Sequence, residues 1–377
     1  MELMFWISLA VILYVYFGYP LVLSLMALRA RPTWRDENYF PAVSLVIAAY
    51  NEEKVLRDKL ENSLALDYPA DRLEIIVASD GSTDGTNAIV QSYADRGIIL
   101  HKVVPRGGKT RALNTVIPYT RGEILILSDA NTMYMSDAVR KLIRHFADPT
   151  VGAVSGDVRL IDAAPSHAHS EGLYYRYERW IQWMESQVGS IIGVDGGMYA
   201  IKRKFFRPPP EETILDDFVI SMTVARMGFR VLYEPDAVAI EKGTPAEREE
   251  FFRKVRIVAG GIQALRMGVG LPGLRQPVLI LGYVSHKLLR WLLPCFLLLL
   301  LVSSAALEYE PLYRLLFATQ VLFYSVAFGY GFKIKGLRRL RFSGVPYYFA
   351  LVNSAALLGI WKGIMGTQTV KWQRVTR

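Results

Sequence analysis

The stretch EILILSDAN, residues 123–131, decides the fold. Ile124 to Leu127 form a continuous apolar run, as expected of a strand covered on both faces of a sheet, and the run leads into Asp129 and Asn131, two hard oxygen donors. Two other stretches have the same form: AVSLVIAAY (42–50) runs into Asn51 and Glu52, and LEIIVASD (73–80) ends on Asp80. Between them lies NEEKVLRDKLENSLALDYP, where Leu56, Leu60 and Leu64 share a helical face and Asn51 is placed to cap the helix. Strands alternate with helices from about residue 36 to residue 270. This predicts an α/β fold with a doubly wound, mostly parallel sheet, whose ligands bind beyond the carboxyl ends of the strands.

The rest of the chain is different material. With 377 residues, 52% hydrophobic and 21% charged, the chain is too apolar for an ordinary soluble protein and too charged for a bare membrane bundle. Met4 to Leu28 carries no charge and, at about 1.5 Å per residue, is long enough to cross a hydrocarbon core of roughly 30 Å. Arg29, Arg31 and Arg35 follow it and only Glu2 precedes it, which predicts a retained anchor with its C-terminal side cytoplasmic. Further apolar runs are Trp291–Leu307, with Lys287 and Arg290 at its start, then Leu315–Phe332 and Phe342–Trp361. KIKGLRRLR (333–341) belongs on the cytoplasmic side and the acidic EYE (308–310) outside. A full crossing by the last run would put Lys371, Arg374 and Arg377 outside, so that run reads as re-entrant or interfacial. The expected organisation is an anchor at 1–35, a cytoplasmic domain at 36–270, and about three interfacial and transmembrane helices at 271–377.

The net charge of +9 points to anionic headgroups rather than nucleic acid, because basic residues flank the apolar runs. The single cysteine, Cys295, excludes a disulfide framework and a thiolate zinc site.

Each candidate motif has a plain structural reading beside a chemical one. ASDGSTDGT (78–86) is a strand-to-helix turn with Ser82, Thr83 or Asp84 as caps, or one edge of a ligand site. Asp129 and Asn131 form a capped turn or hold a hard ion, for which one or two carboxylates plus substrate phosphates and water suffice. GVDGGMYAIKRKFF (193–206) has a glycine pair that marks a bulge or a close backbone approach to a ligand. Asp216 and Asp217, in TILDDFVISM, precede an apolar helix as a cap and as dipole compensation, or supply a base. TPAEREEFFRKVRIVAGGIQAL (244–265) starts as a helix with Thr244 as cap, Pro245 in the first turn and Glu247 three residues after the cap. Its Phe251, Val255, Val258, Ile262 and Leu265 form a packing stripe. Arg253, Arg256 and Gly260 lie opposite, where two cations suit a diphosphate.

Taken in order, Tyr50-Asn51-Glu52, SDGSTDGT, GGKTRALN (107–114) and LSDAN resemble the membrane-embedded glycosyltransferases of family 2, which share the GT-A nucleotide-sugar fold and include cellulose, hyaluronan and poly-N-acetylglucosamine synthases. The resemblance spans about residues 40–265. It implies that Tyr50, Asn51, Glu52 and Asp80 contact a uridine nucleotide with Lys109 nearby. Asp129, with Asn131 where the family more often has a second Asp, would bind Mg2+ or Mn2+. Asp195, Gly196 and Gly197 would line the acceptor side, Asp217 would be the general base, and Asp216 stands where the family has Glu. Arg253 and Arg256 would meet the diphosphate. Arg256 matches the family's Gln-x-x-Arg-Trp, but the Gln and the Trp, which is associated with acceptor stacking in processive synthases, are missing.

The implied activity is an inverting, metal-dependent hexosyl or N-acetylhexosaminyl transfer from a UDP-sugar to a growing exopolysaccharide. The enzyme would be a multi-pass protein of the plasma (inner) membrane with a possible export partner. The alternatives are a single addition to a polyprenyl-phosphate-linked acceptor and a non-catalytic nucleotide-sugar-binding membrane protein.

Overall fold

The computed structural model describes residues 1–30, 33–161, 168–242, 247–338, 340 and 343–371. Its centre is an eight-stranded sheet in the order β3-β2-β1-β4-β7-β6-β8-β5. The strands are β1 (Val43–Ala49), β2 (Leu73–Asp80), β3 (Ile98–Val103), β4 (Ile124–Asp129), β5 (Thr132–Tyr134), β6 (Val151–Ile161), β7 (Met198–Lys202) and β8 (Arg230–Lys242). β3, β2, β1 and β4 are parallel neighbours, as the apolar runs require, and β7 then joins β4 antiparallel. Beyond it β6 runs antiparallel to β7 and parallel to β8, and β5 closes the edge antiparallel. The sheet is therefore mixed, with its parallel half at the end that carries Asn51, Asp80 and Asp129.

Both faces are covered. Val46, Ala48, Leu125 and Leu127 contribute to one apolar core, and Leu45, Ile47, Ile124 and Ile126 to the other, the period-two alternation of strands packed on two sides. Leu56 and Leu60 are fully buried in the helix Leu56–Leu64. That helix begins after Val55, with no side-chain cap. Asn51 does not cap it: its backbone is left-handed (φ 54°), and its side chain serves the neighbouring loop instead.

Among the described residues four helices are long and apolar enough to cross a membrane: Glu2–Ala27, Pro277–Ala306, Pro311–Gly331 and Gly344–Met365. The second starts well before Trp291. The polar residues that stop a hydropathy count there are paired inside the protein: His286 Nδ1 meets Glu185 Oε1 at 2.7 Å, His286 Nε2 meets Glu178 Oε2 at 3.0 Å, and Arg290 donates to Glu178. Both glutamates belong to the helix Ala168–Val188, on which Trp180 and Trp183 stand exposed. The first span reaches the same cluster, because the Tyr19 hydroxyl donates to Glu185 Oε1 at 2.7 Å.

The last apolar helix lies along Glu247–Met267. Near its start the Tyr347 hydroxyl donates to Glu247 at 2.5 Å, and near its end Arg266 donates to the Gly363 carbonyl at 2.8 Å. The contact is close because two side chains are missing: a Cβ on Gly359 would stand 2.7 Å from Val258 Cβ, and one on Gly363 2.7 Å from Ile262 Cβ. Val255, Val258 and Ile262 of the expected packing stripe are buried, whereas Leu265 is exposed. Thr244 and Pro245, read as the cap and first turn of this helix, lie outside the described residues, as do Arg31, Arg339, Arg341, Arg374 and Arg377.

Candidate active site

The carboxyl ends of β1 and β2 are stitched together by their own loops. Thr83 N donates to Asn51 Oδ1 at 2.8 Å, Asn51 N to Ser82 Oγ at 3.1 Å, and Glu52 N to Thr86 Oγ1 at 2.8 Å. Asp84 Oδ1 takes the Thr86 N–H at 3.0 Å just ahead of the short helix Thr86–Gln91, whose N-cap residue is Gly85. Asp80 is almost wholly buried, and its two oxygens accept from Gly107 N and Gly108 N, each at 2.7 Å. Such charge-assisted bonds fix a loop firmly. Gly108 sits at φ 99°, which other residues adopt only under strain. The same loop lays the Arg106 guanidinium 3.5 Å from the centre of the Tyr50 ring. Tyr50 and Asp80 thus meet the loop that leads into the helix Lys109–Val116, while Asn51 and Glu52 are held by the 82–86 loop.

Lys109 is the hub. Its Nζ lies 2.6 Å from Asp129 Oδ1, 3.2 Å from the Gly196 carbonyl and 3.9 Å from Asp216 Oδ2, joining β4, the 193–197 loop and the Asp216–Arg226 helix. Burial opposes its charge, yet the carboxylates of Asp129, Asp216 and Asp217 hold its pKa above the ordinary lysine value.

Asp216 and Asp217 open their helix after Leu215, so neither is the N-cap residue. Asp217 nevertheless serves the helix start, with Oδ1 accepting the Phe218 N–H at 2.8 Å. Its other oxygen faces Gly196, where a Cβ would lie only 2.8 Å from Oδ2. Burial, reinforced by the Asp216 charge, pushes the Asp217 carboxyl up to about 7. Asp216 is also raised, by burial, against the pull of Lys109.

The remaining positions are held from outside the motifs. Asp195 Oδ2 accepts from Arg179 at 2.9 Å, Asp195 Oδ1 accepts from Gly197 N at 3.2 Å, and Arg179 also lies 3.0 Å from Asp157 Oδ1. Asn131 Nδ2 donates to Glu241 Oε1 at 2.7 Å. Arg256 donates to the carbonyls of Ile214 (3.2 Å), Thr369 (3.1 Å) and Val370 (3.3 Å). Arg253 pairs with Glu250 at 2.6 Å and donates to the Tyr175 hydroxyl. Below the 129–132 turn Lys59 is fully buried, donating to the Thr132 carbonyl at 2.5 Å with Nζ 4.0 Å from the Tyr134 ring centre. Burial lowers its pKa to about 7. Arg179, Glu241 and Lys59 carry no motif signal, since their partners lie far away in sequence and meet them only through the fold.

Among the described residues no group of three or more His, Cys, Asp or Glu gathers around one point, so the oxygen donors at the end of β4 are one carboxylate and one amide, the types a hard divalent ion takes together with phosphates and water. Asp129 is partly exposed at the strand end, with the Lys109 ammonium on its Oδ1, and Asn131 has its amide nitrogen tied to Glu241, leaving Oδ1 on the other side of the amide.

Residues 44–207 match the family described as Glycosyl transferase family 2. Over 229 residues the chain is 29% identical to the probable glycosyltransferase YdaM of Bacillus subtilis, covering 56% of this chain and 53% of that protein. It is 28% identical to the beta-monoglucosyldiacylglycerol synthase of Synechocystis over 59% of this chain and 48% of the relative. It is 27% identical to the poly-beta-1,6-N-acetyl-D-glucosamine synthase of Staphylococcus aureus over 52% of this chain and 48% of the relative. The chain thus aligns with about half the length of these curated relatives. Among solved structures, the mannosyltransferase PcManGT of Pyrobaculum calidifontis, in complex with GDP-Man and Mn2+, superposes with a TM-score of 0.74 at 25% identity, covering 97% of this chain and all of that one. The fold is that of the GT-A enzymes, and the segment that matches Glycosyl transferase family 2, residues 44–207, is joined to helices long and apolar enough to span a membrane.

Proposed function

We propose that the protein is an inverting glycosyltransferase that moves a sugar from a nucleoside-diphosphate sugar to a membrane-borne acceptor. The observation that supports this most is the convergence at residue 196: Asp217 approaches one side of Gly196, and the Gly196 carbonyl binds Lys109, which in turn pairs with Asp129. A carboxylate and an ammonium therefore both approach one glycine, as a base and a donor-side cation would need to.

In the proposed reaction Asp217 takes the proton of an acceptor hydroxyl as that oxygen bonds to the anomeric carbon. The bond from that carbon to the diphosphate breaks, and the nucleoside diphosphate leaves with the electron pair. Single displacement inverts the anomeric centre. Asp129 and Asn131 would hold Mg2+ or Mn2+, which supplies charge neutralisation at the leaving diphosphate. Lys109 and Arg256 add positive charge on that side.

The resemblance of the β1 and β2 ends favours a uridine nucleotide, while GDP-Man in the Pyrobaculum complex makes guanosine the competing base. A lipid-linked acceptor receiving one sugar fits the link by which the helix Ala168–Val188, with its exposed Trp180 and Trp183, holds Asp195 through Arg179. Elongation of a polysaccharide is the second reading, supported by the similarity to a poly-N-acetylglucosamine synthase. The test is a panel of UDP- and GDP-sugars given to the purified protein in lipid vesicles with Mn2+, with products identified by mass spectrometry. One added sugar on a lipid supports the first reading, and a ladder of sugars the second. Absence of transfer from every donor, with binding retained, would leave only a nucleotide-sugar-binding protein.

A further inference from the structure

The Asp129–Asn131 pair carries one negative charge where paired aspartates would carry two. The fold brings another carboxylate to that place. Glu241 lies near the end of β8, opposite Thr132 in the antiparallel β5–β8 pairing, so its side chain reaches the residue just before Thr132. Its Oε1 accepts the Asn131 amide at 2.7 Å. With its nitrogen donating there, the amide turns its NH2 toward Glu241 and its Oδ1 the other way. Glu241 therefore settles an orientation that an isolated asparagine would leave open.

We infer that Glu241 is a positioning residue of the donor site: it aims the Asn131 carbonyl oxygen at a divalent cation shared with Asp129, and it restores the negative charge missing from residue 131. The inference rests on the metal-dependent reading given above. Partners that orient a ligand's second polar atom affect metal affinity by roughly 10–100-fold, so the effect is measurable without turnover.

The experiment titrates Mn2+ alone into the purified full chain in nanodiscs, reading free Mn2+ by electron paramagnetic resonance. Glu241→Gln should weaken binding by about tenfold or more, because glutamine brings no charge and can itself donate to the Asn131 oxygen. Asn131→Asp introduced into that variant should return affinity to within about threefold of wild type, since it puts the charge directly on residue 131. Thermal unfolding without metal verifies that each variant is folded, and Glu241→Asp, which keeps the charge on a shorter arm, should fall between wild type and Glu241→Gln. Wild-type affinity in Glu241→Gln, or no recovery in the double variant, overturns the inference alone. Absence of Mn2+ binding by the wild-type chain overturns the inference together with the metal-dependent reading.

Discussion

At Asp217 a carboxylate, a first-turn N–H and a glycine backbone crowd into one place, and that crowding sets both its acidity and its reach. Only the ionised form can accept a proton, so turnover should rise with pH along a limb centred near 7, the value to which burial and Asp216 push this group. The stability effect has the opposite sign. The folded value lies above the ordinary carboxylate range near 4, so between about pH 4 and 7 the folded state holds the proton more tightly, and this group's contribution falls as pH rises. Asp217→Asn should therefore lower kcat by roughly 10²–10⁴-fold while raising the melting temperature at pH 8. An active Asp217→Asn protein would remove the base from this position. Gly196→Ala puts a methyl against Asp217 Oδ2 and should cost about 1–3 kcal/mol in stability as an overpacked contact, with a raised KM for acceptor. Asp129 was legible in the sequence as a strand end and Asp217 as a helix start, whereas Lys109 was named only through the family resemblance. Glu241 was not legible, because its contact with Asn131 exists only once the β5–β8 register is known.

Among the elements, β1, β2 and β4 could be read directly, since a strand buried on both faces is apolar throughout and stands out from its surroundings. The antiparallel insertion of β7 beside β4 could not: nothing in MYAIK states which neighbour it will take. The last apolar helix shows why hydropathy alone left its position open. Its length permits a crossing, yet it is bonded near its start to Glu247 and near its end to Arg266 of one helix of the domain that carries the site. A protease site added after Arg377 should accordingly be cut from the side that holds residues 36–270, and cutting only from the other face of sealed vesicles would refute this placement. Gly363→Leu should break the close helix contact at Ile262 and cost about 1–3 kcal/mol in thermal unfolding.

For the molecule as a whole, the sequence announced both materials, an α/β domain and membrane helices, but not how they are joined. Arg290, near the start of the second span, looked like a headgroup contact, whereas the structure spends it on an internal pair with Glu178, beside His286, which meets both Glu178 and Glu185. Glu185 also accepts the Ile192 N–H at 3.2 Å, and Arg179, the residue after Glu178, grips Asp195. One rod is thus pinned to two spans and to the loop facing Asp217. A tilt of those spans, the usual response to a thicker or thinner bilayer, would travel along this lever to the acceptor side. Transfer rates in phosphatidylcholine vesicles of increasing acyl length should pass through an optimum, and Arg179→Ala should flatten that dependence by letting the loop slip free of its mechanical gauge.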